Sequence, residues 1–356
     1  MIPSLQSISP QIGVGATPNF IYAKNDLMKE ALILDHMGQY VWTEIKKKKD
    51  GLDLSHVVKV MDWLAKFHGL SYVLLNNHPD GPEGWLKENS YVKTMSLKLK
   101  ELGQEKENEM NEALKELFLP ENVIKRCEWL EKAKDDKKYS KWMKSVFENG
   151  VTIPELRKSL HEPKSGRVTI NTINHMDLWF NNILAKYDEE NDELEDVLVL
   201  DFQNCGYCNV GYDLAFFMLT STTKEFRVKY LDQVLESYLI SLKSTVLNAS
   251  GQDLQDYTLD HLKKDYKNHL GIGLTFCMHA LPMILCSLPD NEITFDNSPK
   301  REETIESDEN DSDCLKKYKV QMAILTKDQN VQTRYMGVID DMMEIDFEQL
   351  LSIQRS

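Results

Sequence analysis

Residues Ile173–Leu214 read INHMDLWFNNILAKYDEENDELEDVLVLDFQNCGYCNVGYDL, and this segment carries the clearest chemical signal in the chain. His175 and Asp177 stand one residue apart, and Asn182 follows Asp177 by five positions. Asp201 comes directly after the apolar run VLVL. Each feature alone is common by chance. Together they place two carboxylates and a side-chain amide around a pair of short apolar runs.

This set of side chains suits phosphoryl transfer from ATP to a hydroxyl group. The hydroxyl needs a carboxylate within hydrogen-bond reach to orient it and accept its proton. The Mg²⁺ ion on the triphosphate needs hard oxygen ligands. A loop with Asp, and Asn five residues later, can direct the carboxylate to the acceptor and the amide oxygen to the metal. A second Asp from the next strand pair completes such a metal site.

Short apolar runs on either side of this loop predict strands. Arg167–Ile170, Ile183–Tyr187 and Val197–Leu200 are rich in β-branched residues or leucine, as strands commonly are. Asp188–Asp196, which reads DEENDELED, is predicted to be the acidic loop of a hairpin. From Gly211 onward the apolar spacing becomes helical.

The first part of the chain predicts a hairpin followed by a long helix. Asn19–Ala23 and Ala31–Leu34 are apolar runs on either side of a polar stretch, a pattern typical of a β-hairpin. Leu52–Leu75 has apolar residues at helical spacing, with Asp53 and Ser55 as candidate capping residues.

The remaining segments add helices and one polar loop. Residues 90–160 have the pattern of amphipathic surface helices. Leu270–Leu288 is nearly all apolar but contains Pro282, which predicts a buried, kinked helix rather than a membrane span. Residues 301–313 have almost no apolar content and predict a mobile loop.

The composition excludes several classes of partner. The chain has 356 residues, with 57 acidic against 42 basic side chains and a formal net charge of −15. Nucleic acid and anionic membranes would repel such a chain, so neither is expected as a partner. Six scattered cysteines favour free thiols over a disulfide framework. The sequence shows no signal peptide, and we expect a cytoplasmic location.

Three motifs point to a known family: HMDLWFNN at His175–Asn182, DFQ at Asp201–Gln203 and GYDL at Gly211–Leu214. They resemble the pattern of the ecdysteroid-kinase-like (CHK kinase-like) family in the aminoglycoside and choline phosphotransferase group. Ala31–Tyr40 is similar to that family's linker strand, and Leu64–His68 is similar to its L-A-x-F-H helix. The resemblance implies a protein-kinase-like (aminoglycoside phosphotransferase-like) α+β fold with a mostly helical C-lobe.

The resemblance also implies roles for individual residues. Asp177 would be the catalytic base, and Asn182 and Asp201 would bind Mg²⁺. His175 would brace the loop, and Asp213 would accept hydrogen bonds from the loop backbone. The backbone that meets the adenine ring of ATP would be formed by Leu34, Asp35, His36 and Met37. The acceptor would be a small-molecule alcohol, either steroid-like or an amino alcohol.

The sequence departs from the family pattern at three places, the first being His36, which stands where the family commonly has an acid in its linker strand. Met176 stands where the family commonly has glycine. Family members also carry strands, a phosphate-covering loop and a lysine ahead of the linker strand, which here begins near Ala31. We therefore predict a residual N-lobe hairpin and linker over residues 1–40 and a kinase-like C-lobe over residues 41–356. A truncated N-terminus is part of this expectation.

Two functions remain open on the sequence alone. The first is ATP- and Mg²⁺-dependent phosphorylation of a small-molecule alcohol. The second is a truncated or pseudokinase-like remnant that binds a ligand or partner without catalysis. His68 is predicted to be a core or interlobe histidine rather than a catalytic one. Trp179 is predicted to be a packing residue, with the acceptor pocket as the alternative, because it follows Asp177 by two positions.

Overall fold

The computed structural model divides the chain into two compact units. One unit comprises Met1–Val92 and Pro163–Asp265, and the other comprises Lys93–Glu162 and Tyr266–Ser356. The structure describes residues 20–26, 29–34, 42–45, 50–89, 92, 119–131, 137–161, 163–164, 168–286, 320, 324–325 and 327–345. The predicted boundary at residue 40 lies outside these ranges and stays a prediction.

The described residues form a mostly helical α+β protein with three small antiparallel sheets. The strands are β1 (Phe20–Asp26), β2 (Lys29–Leu34), β3 (Trp42–Glu44), β4 (Asn171–Asn174), β5 (Ile183–Tyr187), β6 (Leu194–Val199) and β7 (Gly206–Asn209). The helices are α1 (Leu54–Asn76), α2 (Gly81–Glu88), α3 (Pro120–Leu130), α4 (Lys138–Glu148), α5 (Ile153–Leu160), α6 (Gly211–Ser221), α7 (Lys224–Ser250), α8 (Leu259–Asn268), α9 (Met278–Leu285) and α10 (Gln329–Met342).

The predicted N-terminal hairpin is confirmed. Strands β1 and β2 pair antiparallel, with Phe20 opposite Leu34 and Asp26 opposite Lys29. The strands extend into most of the polar stretch that was predicted to be the turn. A hairpin can close with a connection as short as two residues, so polar residues near the turn can pair as strand.

The predicted hairpin after the candidate site is confirmed as well. Strands β5 and β6 pair antiparallel, with Ile183 opposite Val199, and both of these side chains are buried. Strand β3 joins the other edge of β5, with Thr43 opposite Ala185. Strand β3 therefore belongs to the same three-stranded sheet as β5, the strand that follows the candidate loop.

One strand prediction is wrong. The strand expected at Arg167–Ile170 lies instead at Asn171–Asn174 (β4), where it pairs with β7, a strand that was not predicted. Asparagine is uncommon in strands, so local preference disfavours this position. Tertiary contacts outweigh that preference here, because the buried Asn174 side chain donates to the backbone oxygen of Cys208 at 2.9 Å.

The long helix predicted near the start of the chain is confirmed as α1. The Asp53 carboxylate accepts a hydrogen bond from the backbone N–H of His56 at 3.1 Å and so caps the helix, as predicted. The buried face of α1 includes Trp63, Phe67 and His68. This face packs on α7 and on the strands that hold the candidate site.

The second unit contains a helix within the predicted apolar stretch. A π-helical turn, Gly273–Cys277, leads into α9, which contains Pro282. Proline has no N–H, so it cannot donate to the backbone oxygen of Met278 four residues earlier. The buried Arg126 guanidinium donates to that oxygen at 3.0 Å instead. A hydrogen bond from α3 therefore replaces the one that Pro282 cannot form, and the predicted kink stays a prediction.

Two further observations concern the described part of the chain only. None of its helices combines the length and the apolar character that crossing a membrane requires. Its five cysteines are free thiols, namely Cys127, Cys205, Cys208, Cys277 and Cys286. Cys314 and residues 301–313, which were predicted to be a mobile loop, lie outside the described ranges.

The close approach of α1 and α7 gives a testable prediction. A Cβ atom at Gly69 would lie 2.7 Å from Cγ2 of Thr245 and 2.9 Å from its Cβ. Alanine favours a helix over glycine by about 1 kcal/mol, whereas overpacking costs about 1–3 kcal/mol. We expect Gly69→Ala to lower the free energy of unfolding by up to about 2 kcal/mol in urea denaturation.

The double variant Gly69→Ala with Thr245→Ser is the matched test of this contact. Serine lacks Cγ2, so adding Gly69→Ala to the Thr245→Ser variant should lower the free energy of unfolding by less than Gly69→Ala does in the wild type. A Gly69→Ala variant that is more stable than the wild type would show that the two helices can move apart freely.

Candidate active site

The loop between β4 and β5 is fixed at its start by His175. This side chain is fully buried, and its Nε2 atom donates to the backbone oxygen of Leu200 at 2.8 Å. Its Nδ1 atom accepts from the backbone N–H of Asp177 at 3.3 Å. The two bonds require the neutral ring with hydrogen on Nε2. Burial lowers the pKa of His175, which favours this neutral form.

Asp213 binds the backbone of the same part of the loop. It lies in the first turn of α6, and its side chain is fully buried. One carboxylate oxygen accepts from the backbone N–H of His175 at 2.6 Å, and the other accepts from that of Met176 at 2.8 Å. A charged acceptor forms stronger hydrogen bonds than a neutral one, so these two bonds hold the loop backbone more strongly than a neutral side chain would.

The Asp213 carboxylate is also bound by the buried His68 side chain, which in turn binds the buried Tyr238 side chain. His68 Nε2 lies 3.2 Å from Asp213 Oδ2, and His68 Nδ1 lies 2.7 Å from the hydroxyl oxygen of Tyr238. Because the carboxylate accepts, His68 donates from Nε2 and accepts from Tyr238 at Nδ1. Burial raises the pKa of Tyr238 well above its usual value, so the phenol keeps its proton. The structure therefore places His68 in the core, with both ring nitrogens paired.

Met176 has an unusual backbone conformation. Its φ is 63°, in the left-handed region that side chains other than glycine seldom adopt. This conformation costs about 1–2 kcal/mol in a residue with a Cβ atom. The Met176 side chain is buried, and its N–H is bound by Asp213. Packing and this hydrogen bond thus stabilise a conformation for which glycine is better suited.

Asp177 is half-buried and held through both its side chain and its backbone. Asn204 Nδ2 donates to Asp177 Oδ2 at 3.2 Å, and Asn182 Nδ2 donates to the Asp177 backbone oxygen at 2.8 Å. Burial raises the pKa of Asp177 to about 6, and the charge of Asp201 acts in the same direction. The hydrogen bonds from the two asparagines oppose this shift. A carboxyl group with this pKa can both accept and release a proton near neutral pH.

Asn182 directly precedes β5, and Asp201 lies two residues after β6, so both are at the end of the hairpin opposite its turn. The backbone N–H of Leu200 donates to the backbone oxygen of Asn182 at 2.8 Å, which fixes the two ends relative to each other. Asp201 has a φ of 63° and an exposed side chain, and Gln203 Nε2 donates to its Oδ2 at 3.1 Å. Hydrogen bonds join Asn182 to Asp177 and to Leu200, which precedes Asp201, so the backbone connects all three residues into one group.

The donor set of this group fits a magnesium ion. Asn182 uses its NH₂ group on the Asp177 backbone, which leaves its amide oxygen as a donor of electrons. The Asp201 carboxylate and the Asn182 amide oxygen are hard ligands of the kind that Mg²⁺ prefers. Within the described ranges, no cluster of three or more His, Cys, Asp or Glu side chains could hold a metal. The pair of Asn182 and Asp201 includes only one such side chain, because the other oxygen belongs to an amide.

An aromatic cluster supports the turn that follows Asp201. The ring of Phe202 lies 5.0 Å from that of His175 and 6.0 Å from the rings of Trp63 and Phe67. His175 therefore contacts both the turn after Asp201, through the Phe202 ring, and the loop around Asp177, through its backbone. Strand β2 ends at Leu34, and the predicted adenine-binding residues Asp35, His36 and Met37 lie outside the described ranges.

Sequence reasoning did not single out Asn204, although its amide contacts the Asp177 side chain. Asn204 lies 27 positions after Asp177, so no local pattern links the two residues. A weak signal was available in the pair Gln203–Asn204, which puts two amide side chains directly after the strand-ending Asp201–Phe202. Only the three-dimensional structure assigns one amide to each carboxylate.

Comparison with known proteins identifies the family of the chain. The model of the Ecdysteroid kinase-like (EcKL) family matches residues 1–250, and the chain belongs to this family. A search of curated proteins returned no match. Family membership implies a kinase-like fold, the use of ATP and a small-molecule substrate.

The backbone of Met176 gives a second prediction. Met176→Gly and Met176→Ala both remove the buried side chain, but only alanine keeps the steric cost of a positive φ. We expect Met176→Gly to be more stable than Met176→Ala by about 1 kcal/mol in urea denaturation. Leu178, buried in the same loop but without a positive φ, is the matched control.

At Leu178 the order should reverse, with alanine more stable than glycine by about 0.4–1 kcal/mol. The same order at both positions would contradict a strained backbone at Met176.

The raised pKa of Asp177 gives a third prediction. The pKa of Asp177 is about 6 in the folded protein, against about 3.9 for an Asp side chain in an unfolded chain, so the protonated form favours folding. That contribution is present below about pH 4 and is lost as the pH rises through about 6. We expect Asp177→Asn to raise the free energy of unfolding by about 1 kcal/mol at pH 8, after allowing for partial solvent exposure.

Urea denaturation at pH 8 and pH 5 in the presence of EDTA tests this, and the gain should be smaller at pH 5. Asp256→Asn, at an exposed carboxylate, is the control and should have the same small effect at both pH values. A gain for Asp177→Asn that does not depend on pH would rule out a perturbed carboxyl group.

Proposed function

We propose that this chain is an ATP- and Mg²⁺-dependent small-molecule kinase that transfers a phosphoryl group to an alcohol. The observation that carries this proposal is the hydrogen-bonded group of Asp177, Asn182 and Asp201. It unites a half-buried carboxylate with a raised pKa and two oxygen ligands suited to Mg²⁺. Membership of the Ecdysteroid kinase-like family supports the same chemistry.

Asp177 is the proposed general base. Its Oδ2 atom accepts a hydrogen bond from Asn204 Nδ2 at 3.2 Å, and its Oδ1 atom is proposed to accept one from the hydroxyl of the acceptor. General acid–base catalysis by a positioned side chain contributes about 10²–10⁴-fold to a rate. Partial burial supports this role, because a poorly solvated carboxylate is a better proton acceptor than a fully hydrated one.

Asn182 and Asp201 are the proposed Mg²⁺ ligands. A Mg²⁺ ion held by these two residues would neutralise the charge that develops during phosphoryl transfer. The protein's part is to keep the two ligands at a fixed separation. The hydrogen bond between Leu200 N–H and the Asn182 backbone oxygen does this, because it ties the ends of β5 and β6 together.

His175 and Asp213 are proposed to position the base. His175 binds the backbone N–H of Asp177, Asp213 binds the N–H groups of the two residues before it, and both side chains are fully buried. A displacement of about 1 Å at a reacting group can cost about 100-fold in rate. Rigid support of the loop is therefore as important to this mechanism as the identity of the base.

The acceptor is proposed to be a steroid-like alcohol or an amino alcohol. Trp179 is half-exposed, lies two positions from the base and packs edge-on against Phe180. A partly exposed aromatic ring at this position can contact an apolar ring system or a cationic amine. The backbone of residues 34–37 is proposed to contact the adenine ring.

Nucleotide binding provides the fourth prediction. In a thermal-shift assay, Mg²⁺ with millimolar ATP should stabilise the wild type, by about 2.7 kcal/mol at 100 times the dissociation constant. Asp201→Asn keeps the shape of the side chain but removes its charge, and it should lose most of this stabilisation. Asp177→Asn should retain the stabilisation but lose turnover.

The pair of variants separates catalysis from binding. Absence of any Mg²⁺-dependent shift with ATP in the wild type would contradict the proposal. Stabilisation without turnover of either ecdysone or choline would favour a protein that binds nucleotide without transferring phosphate.

A further inference from the structure

Two consecutive amide side chains each contact one carboxylate of the candidate site. Gln203 Nε2 donates to Asp201 Oδ2 at 3.1 Å, and Asn204 Nδ2 donates to Asp177 Oδ2 at 3.2 Å. Both amides belong to a single 3₁₀ turn, Phe202–Asn204. The turn therefore links the proposed metal ligand to the proposed base.

In each carboxylate, the Oδ2 atom accepts a hydrogen bond from an amide of this turn. The half-buried Asp177 carboxyl group also receives a hydrogen bond from Asn182, whereas Asp201 is exposed. An amide carries no net charge, so it fixes the orientation of a carboxylate without supplying a countercharge. A lysine or arginine at the same place would orient the carboxylate too, but it would also lower its basicity.

The turn has a rigid foundation. Phe202 packs against the buried His175, and the backbone N–H of Cys205 donates to the Phe202 backbone oxygen at 3.2 Å. Because His175 also binds the Asp177 N–H, the turn and the loop are anchored on one ring. The backbone from which both amides project is therefore tied to the loop that carries Asp177.

We propose that Gln203 and Asn204 form an amide clamp that orients the Asp201 and Asp177 carboxylates for phosphoryl transfer. This inference rests on the proposed function and assigns positioning roles to two residues that act through their neighbours. Asn204 sets the direction of the Oδ1 atom of the base. Gln203 sets the direction of the Oδ1 atom of the metal ligand.

The two arms of the clamp predict different kinetic effects. Asn204→Leu removes the amide with little change in volume and should lower kcat roughly 10- to 100-fold, with little change in KM for Mg·ATP. Gln203→Met should instead raise the Mg²⁺ concentration needed for half-maximal rate several-fold. Asn204→Gln keeps an amide on a longer side chain and should recover part of the lost kcat.

These rates are measured as ADP release from Mg·ATP with ecdysone or choline as acceptor. If Asn204→Leu keeps the wild-type kcat, the positioning role of Asn204 is overturned. If Gln203→Met leaves the Mg²⁺ dependence unchanged, the role of Gln203 is overturned.

Side-chain NMR tests the clamp without any turnover. The NH₂ signals of Asn204 and Gln203 are assigned by their loss in Asn204→Leu and Gln203→Met. In the full-length, metal-free protein, Asp177→Asn should shift the Asn204 signals, and Asp201→Asn should shift those of Gln203. The signals of Asn248, an exposed residue of α7, serve as the control and should not move.

The two kinds of measurement separate the two proposals. Failure of the wild type to bind or turn over Mg·ATP overturns the proposed function. Amide signals that do not respond to their own carboxylate overturn the clamp, even in a protein that proves to be an active kinase.

Discussion

The buried carboxylate of Asp213 is the interaction on which the rest of the site depends. A carboxylate removed from water is costly unless its oxygens are paired. Here it accepts from two backbone N–H groups of the loop and from His68. The same three bonds that satisfy Asp213 hold the loop in place and attach it to α1. Through Tyr238, the network also reaches α7, so hydrogen bonds around Asp213 connect the loop to three helices, α1, α6 and α7.

Much of this arrangement is visible in the sequence, because it depends on local patterns. The β5–β6 hairpin follows from its apolar runs, and α1 follows from its apolar spacing and from Asp53 at its start. The features that escaped prediction depend on distant partners. The register of β4 is set by β7, and the contact between Asn204 and Asp177 spans 27 residues. No single-sequence pattern records such pairings.

Met176 shows how far a resemblance can be taken. A glycine in the family pattern hints at a position that requires a positive φ, and the structure gives Met176 a φ of 63°. The chain keeps the backbone conformation while replacing the residue best suited to it. Tertiary contacts outweigh a local steric preference here, as they do at Asn174 in β4. In both places the decisive partner is a hydrogen bond to or from the backbone.

The discontinuity of the first unit has a consequence for the synthesis of the protein. Residues 93–162 belong to the other unit, yet they are translated between α1 and the loop that α1 supports. The hydrogen bond that Tyr238 donates to His68 joins residues 170 positions apart. At roughly 5–20 residues per second, the partners of the apolar face of α1 are synthesised on the order of ten seconds or more after α1 itself. Apolar surface that is exposed for such an interval makes a nascent chain prone to aggregation.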